Sequence, residues 1–87
     1  MNEKVQEKVL RVEENGKTHQ VTMKRDGDKS YFKTGKLYSS IMVEYKEKML
    51  WIAYKKDKET RYVIGYNSNR EKAENIAARY LARGVRV

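Results

Sequence analysis

The chain has 87 residues, and its 20 Lys and Arg against 12 Asp and Glu give a formal net charge of +8. A chain this short forms a single domain, residues 1–87, in which one sheet packed on one helix is about all that can be buried. The lack of Cys excludes disulfides, a cysteine nucleophile and thiolate clusters, and the N-terminus has no apolar run typical of a signal peptide, so a soluble, cytoplasmic protein is expected.

The first predicted elements are two strands joined by a hairpin turn at Asn15-Gly16. Residues 5–14 alone fit either a helical stripe of valines or a strand. The turn favours strands, because Asn and Gly both tolerate the positive φ of a type I′ turn. Pairing outward from it brings opposite charges and apolar residues into register, with the pairs Glu14 and Lys17, Val12 and His19, and Leu10 and Val21.

A second turn of the same kind is predicted at Asp26-Gly27. The same counting places Met23 opposite Ser30 and Val21 opposite Phe32. One face of the first three strands then carries an apolar set that consists of Leu10, Val12, Val21, Met23 and Phe32.

Three further strands are predicted from period-two alternation over residues 37–45, 49–55 and 60–66. One face of the first strand carries Leu37, Ile41, Val43 and Tyr45. In the second strand Leu50, Ile52 and Tyr54 oppose Trp51, Ala53 and Lys55. In the third strand Tyr62, Ile64 and Tyr66 oppose Arg61, Val63 and Gly65.

The period then changes to that of a helix. Ser68 and Glu71 have the spacing of a capping box, and Gly84 is a stop signal. Between them an apolar stripe at helical spacing comprises Ala73, Ile76, Ala77, Tyr80 and Leu81. Residues 85–87 fit a tail or a short edge strand. The predicted fold is therefore α+β, an antiparallel meander of about five to six strands with one C-terminal helix packed on one face.

A single helix leaves the other face of the sheet open to solvent or to a partner. Aromatic rings on that face can stack on bases while Lys and Arg meet phosphates, or long side chains on a strand can enter a DNA groove. Alternatively, the aromatic residues pack against the N-terminal strands or a second copy of the chain. The face away from the helix is predicted to display Tyr38, Lys46, Trp51, Lys55, Arg61 and Val63, whereas a place in the core or at its rim is expected for Tyr45, Tyr54, Tyr62 and Tyr80.

Basic turns lie at the two ends of the strand that contains the Trp. Lys46 and Lys48 precede it, and Lys55, Lys56 and Lys58 follow it, an arrangement suited to holding phosphates along a strip. The predicted nucleic-acid-binding residues are Tyr38, Lys46, Lys48, Trp51, Lys55, Lys56 and Arg61.

No enzymatic site is predicted. The one His, His19, lies opposite Val12 in the first hairpin, which favours a structural role, and Ser39-Ser40 has no evident base partner. Neither a GxGxxG nor a P-loop motif occurs. We therefore expect no metal and no cofactor, and cleavage of RNA by His19 together with Arg is the remaining enzymatic alternative.

A family resemblance rests on three segments, Lys48 to Tyr54, Arg61 to Tyr66 and Asn69 to Tyr80. They comprise a Trp-containing strand, a strand that ends in Gly and an aromatic residue, and an alanine-rich helix that opens with an acidic residue. This pattern resembles the Apetala/ethylene-response-type DNA-binding domain and is equally similar to the arm-site-binding domain of tyrosine recombinases. The resemblance implies a three-stranded sheet in the major groove and DNA contacts from Trp51 and Arg61.

The whole chain also resembles, in architecture, the Whirly and Pur-type single-strand binders, in which a curved sheet takes unpaired bases and dimerisation completes the core. The predicted function is thus non-enzymatic binding of nucleic acid, DNA more than RNA, through the open face of the sheet, with a homodimer as one possible assembly. The alternative is a protein-interaction or dimerisation module of a small phage or accessory protein, in which the lysines serve solubility.

Overall fold

The structure is a computed structural model that describes residues 5–84, and it consists of one antiparallel sheet and one helix. The strands lie in the sheet in chain order, each paired with the next, which confirms the predicted α+β meander. The elements are β1 (Gln6–Glu14), β2 (Lys17–Asp26), β3 (Lys29–Lys33), β4 (Ile41–Glu47), β5 (Leu50–Asp57), β6 (Thr60–Asn67) and α1 (Arg70–Arg83). The predicted tail or edge strand at residues 85–87 lies outside the described residues.

The first hairpin has the predicted turn and register. Asn15 and Gly16 have φ angles of 55° and 77°, the left-handed values that a type I′ turn requires. The three predicted pairs, Glu14 with Lys17, Val12 with His19 and Leu10 with Val21, are all present. Local turn chemistry therefore sets the register of β1 and β2.

The register of β2 and β3 differs from the prediction by two residues. Asp26 pairs with Lys29, so that Gly27 and Asp28 form the turn, and Met23 lies opposite Phe32. The reason is that Gly27, with a φ of 64°, occupies the first turn position and not the second. Because the shift is even, the predicted apolar face is preserved.

Strand β4 begins at Ile41, four residues later than predicted. Leu37 is 85% exposed in the loop that precedes the strand. The Ser39 hydroxyl donates to the carbonyl of Phe32 at 2.8 Å and accepts from the Ile41 amide at 3.2 Å. These hydrogen bonds tie the loop to the end of β3 and to the first residue of β4, in place of regular strand pairing.

Two irregularities change which side chains share a face in the last strands. The pairing of β4 with β5 shifts between Tyr45 and Glu47. In the pairing of β5 with β6, Ala53 lies opposite Gly65 but Tyr54 lies opposite Val63, so that Ile64 is an additional residue in β6. The prediction that Tyr62, Ile64 and Tyr66 share a face is therefore wrong.

The helix contacts all six strands and covers one face of the sheet. Its buried apolar residues are all alanines, whereas the sheet supplies larger side chains such as Phe32 and Met23. Small residues let the helix approach β5 and β6 closely: a Cβ added at Gly65 would lie 3.1 Å from Cγ2 of Ile76. The buried apolar helix residues are Ala73, Ala77, Ala78 and Ala82.

The helix ends agree with the prediction in part. Gly84 is the C-cap as predicted, but the N-cap is Asn69, whose side chain accepts from the Lys72 amide at 3.1 Å, and not Ser68. The backbone N–H of Asn69 in turn donates a hydrogen bond to Oδ1 of Asn67 at 2.9 Å. Tyr80, predicted on the buried stripe, is 40% exposed, because the packed face of the helix centres on its alanines. No helix within residues 5–84 has the length and apolar character needed to cross a membrane.

A buried carboxylate fastens the first half of the helix to the sheet. Glu74 is 2% exposed and accepts from Nε and Nη2 of Arg25 at 2.8 and 2.6 Å, and from Ser30 Oγ at 2.7 Å. Arg70, one helical turn earlier, donates to Glu74 at 3.1 Å. The hydrogen bonds to Glu74 raise the pKa of Arg25 above its ordinary value, so the guanidinium stays charged.

Candidate nucleic-acid interface

The face of the sheet that the helix leaves open carries a row of side chains that crosses all six strands. Directly opposed pairs link each strand to the next along this row. The row consists of Glu7, Lys24, Tyr31, Met42, Tyr54 and Val63. The row thus begins with an acidic and a cationic residue and then alternates aromatic and apolar side chains across β3 to β6. A cluster of side chains lies toward the β1 side of this face and a groove toward the β6 side.

The first cluster, which we call the Tyr38 cluster, consists of Tyr38, Tyr31, Lys24 and Lys33. Tyr38 comes from the loop before β4 and lies edge-on to Tyr31, with ring centroids 6.4 Å apart. The ammonium nitrogens of Lys24 and Lys33 lie 4.7 and 4.6 Å from the centroid of the Tyr38 ring. Two like charges therefore share one aromatic ring, which creates a local concentration of positive charge.

The hydroxyl of Tyr38 anchors this cluster to the edge strand. It donates to the Glu7 carboxylate at 2.8 Å. Burial of the phenol and this hydrogen bond raise the pKa of Tyr38, so the side chain stays neutral and its hydroxyl stays a donor. Glu7 thus holds the ring in the position where both lysines meet it.

The second feature is a groove of 440 Å³ that is lined by residues of β4, β5 and β6. Tyr54 is only 3% exposed although it lies on the open face; the guanidinium carbon of Arg61 lies 4.7 Å from its ring centre, and its hydroxyl also contacts Met42 Sδ at 3.8 Å. The Tyr54 hydroxyl donates to Glu44 at 3.0 Å, and Arg61 Nη1 lies 3.6 Å from the same carboxylate. The lining residues are Glu44, Tyr45, Lys46, Glu47, Ile52, Tyr54, Arg61 and Val63.

Five of the predicted binding residues lie on or beside the open face. Tyr38 forms the first cluster, Arg61 and Lys46 line the groove, and Lys56 pairs with Arg61 across β5 and β6. Lys48 lies in the exposed turn between β4 and β5 with a φ of 53°. These residues therefore lie at both ends of the open face and not in a single patch.

Trp51 and Lys55 are placed differently from the prediction. Trp51 lies opposite Tyr45 on the helix side, where the two rings meet edge-on with centroids 5.0 Å apart. The Arg70 guanidinium covers the indole at 4.4 Å, so that Trp51 packs against the core. Lys55 lies opposite Ile41 and belongs to the same side.

The physical reason is that alternation groups residues by face without saying which face meets the helix. Ala53, between Trp51 and Lys55, is fully buried, and it leaves the room that the helix needs. Of the four tyrosines expected in the core or at its rim, Tyr54 is buried and Tyr45 is half-buried, whereas Tyr62 and Tyr80 are exposed.

Several open-face residues were missed by sequence reasoning. Lys24 and Lys33 flank the core residues Met23 and Phe32 in sequence, so the alternation that identified the core also contained the signal for these lysines. Tyr66 lies opposite Ile52 on the open face only because Ile64 is an additional residue in β6. No sequence signal identified that bulge.

His19 is half-buried and lies opposite Val12, as predicted. Residues 5–84 contain no group of three His, Asp or Glu side chains arranged to hold a metal ion.

Comparison with known proteins gives no match to a family model, to a curated protein or to a solved structure. The geometry of the open face is therefore the basis on which a function can be argued.

Proposed function

We propose that the protein is a non-enzymatic nucleic-acid-binding protein that takes a DNA strand across the open face of its sheet. The Tyr38 cluster carries the proposal. Each ammonium group is attracted to the Tyr38 ring but repels the other, and a phosphate that contacts Lys24 and Lys33 would reduce this repulsion beyond what the nearby Glu7 carboxylate does. The net charge of +8 adds a long-range attraction for any polyanion.

The rest of the open face supports contact with unpaired bases. Tyr66 and Val63 are 64% and 61% exposed, and the guanidinium carbon of Arg61 lies 4.7 Å from the centre of the Tyr54 ring. Exposed aromatic rings stack on bases of a single strand, whereas the bases of a duplex are already stacked on one another. We therefore expect single-stranded DNA to bind more tightly than duplex DNA.

The test is fluorescence anisotropy with labelled oligothymidylate, a DNA duplex and oligouridylate, at about 50 and 200 mM salt. The double variant Lys24→Ala/Lys33→Ala should bind oligothymidylate more weakly. Its logarithmic salt slope should fall by about 0.7 for each lysine that contacts a phosphate.

A matched control removes the same charge elsewhere. Lys17 lies at the tip of the first hairpin and Lys72 on the helix, and both are exposed. Lys17→Ala/Lys72→Ala should therefore leave most of the affinity intact. Equal losses in the two double variants would show that only net charge matters, and lack of binding at low salt would overturn the proposal.

The alternative is a module that pairs with a protein, including a second copy of the chain, through the same face. Exposed apolar side chains favour it: Val9, Val63 and Tyr66 all lie on the open face. Sedimentation at increasing protein concentration separates the two functions. A stable dimer that has no affinity for nucleic acid would establish the alternative.

A further inference from the structure

The groove beside Arg61 has the size and the walls of a binding site for a single planar group. Its 440 Å³ lies within the range of about 300–1,000 Å³ found for small-molecule pockets. Ile52 and Val63 give it apolar walls, and Tyr54 lies beneath the guanidinium of Arg61. Arg61 is itself 58% exposed, so its outer surface is available to a ligand.

Two carboxylates, Glu44 and Glu47, line this groove, and Glu44 is the one that contacts Tyr54 and Arg61. Glu44 is held by the Tyr54 hydroxyl at 3.0 Å and by Arg61 at 3.6 Å, and both contacts engage Oε1. Its side chain is 30% exposed. Because an ionised carboxylate accepts at about four lone-pair sites, Glu44 retains acceptor capacity toward a ligand.

The charge of Glu44 decides which part of a nucleic acid it can meet. A carboxylate repels phosphate, so a strand that crosses the face must present a base edge to Glu44 and keep its backbone near the cations. The cations Arg61 and Lys46 line the same groove, together with the second carboxylate, Glu47. The groove therefore offers carboxylates to a base edge and cations to the phosphate of the same nucleotide.

Donor geometry then selects among the bases. Guanine presents two adjacent donors, N1–H and the N2 amino group, which match the two oxygens of a carboxylate in a charge-assisted pair. Adenine and cytosine place an acceptor nitrogen next to their amino group, and thymine and uracil place carbonyls on both sides of their single N–H. These acceptors would face the negative charge of Glu44.

We infer that this groove is a subsite for one unpaired guanine, whose Watson–Crick edge is read by Glu44 and whose phosphate is met by Arg61. The inference rests on the proposed function, because it places one base of a strand that is bound across the open face. It adds base selectivity at one position to binding that is otherwise indifferent to sequence.

The test compares oligothymidylates that carry one central guanine, adenine, cytosine or hypoxanthine. The guanine strand should bind about tenfold more tightly than the adenine strand, as expected for a bidentate pair. Hypoxanthine lacks the 2-amino group and keeps one donor, so its strand should lie between them. This series uses the unmodified protein and does not depend on the folding of a variant.

A pair of variants then assigns the selectivity to one residue. Glu44→Gln puts an amide group in the groove and should abolish the preference for guanine. Glu13→Gln makes the same change of charge on the exposed end of β1, outside the groove, and should keep the preference while raising affinity for every strand.

The outcomes separate the inference from the proposed function. Equal affinity for all four strands would overturn the guanine subsite and leave nucleic-acid binding standing. Guanine preference that survives Glu44→Gln would likewise overturn the role of Glu44. Lack of binding to oligothymidylate itself would overturn both.

Discussion

The two faces of the sheet are made by the same strands but differ in what their side chains do. On the helix side, Val21, Phe32 and Val43 are fully buried under α1. On the open side, Val63 and Tyr66 remain exposed, and the buried Tyr54 lies beside the 58%-exposed side chain of Arg61. The contrast teaches that stability is concentrated on one face, which leaves the other free to vary with function.

The two faces also use carboxylates differently. Glu74 is enclosed by Arg25, Arg70 and Ser30, so its acceptor capacity serves the fold. Glu44 uses only part of its hydrogen-bond acceptor capacity on Tyr54 and Arg61, and it lines an open groove. The four predictions that follow test whether the helix side serves stability and the open side serves binding, beginning with the largest expected effect.

Glu74→Ala should lower the free energy of unfolding by about 3–5 kcal/mol, because it leaves Arg25 and Arg70 without their buried partner. Urea denaturation followed by circular dichroism measures it. Glu14→Ala is the control: Glu14 pairs with Arg83, whose side chain is 60% exposed, and its removal should cost at most about 1 kcal/mol. Similar costs for the two variants would contradict the special role of the buried network.

Trp51→Ala should destabilise the protein by about 2–3 kcal/mol, somewhat less than the loss of a fully buried Trp, because the indole packs between Tyr45 and Arg70 at the rim of the core. The affinity of the folded variant for oligothymidylate should change less than twofold. Thermal denaturation and anisotropy measure the two effects. A large loss of affinity in a variant that stays folded would contradict this prediction and show that Trp51 takes part in binding.

Tyr54→Phe should cost about 1 kcal/mol at neutral pH through loss of the hydrogen bond to Glu44. Burial and that hydrogen bond raise the pKa of Tyr54, so its stabilisation is complete below about pH 10 and is lost as pH rises through the folded-state pKa. The variant should therefore lose less stability than the wild type above about pH 10. Urea denaturation across this range measures it, with exposed Tyr62→Phe expected to follow the wild-type curve.

Tyr66→Thr should change the free energy of unfolding by no more than about 0.5 kcal/mol, because the ring is exposed and Thr keeps the strand preference. Its affinity for oligothymidylate should fall by about 1 kcal/mol if a base stacks on the ring. Thermal denaturation and anisotropy give both values. Destabilisation as large as that of Trp51→Ala would erase the difference between the two faces.

Much of the fold was predictable because local chemistry specified it. Asn15 and Gly16 set the register of the first hairpin, and alternation grouped the core residues of β1 to β3 correctly. Tyr38 and Arg61 were found as open-face residues in the same way, although Tyr38 reaches that face from a loop and not from a strand. Lys24 and Lys33 could have been found by the same alternation, because each directly follows a core residue, Met23 or Phe32.

By itself, the sequence determined the order of the elements, the meander and the first hairpin, since turn residues and hydrophobic period act between neighbours in the chain. Only the tertiary structure decided which face of β5 the helix covers, where the β6 bulge lies and how Glu44 meets Arg61. The first of these features depends on how closely α1 can approach Ala53 and Gly65. Such steric fit joins residues far apart in the chain, and no local pattern records it.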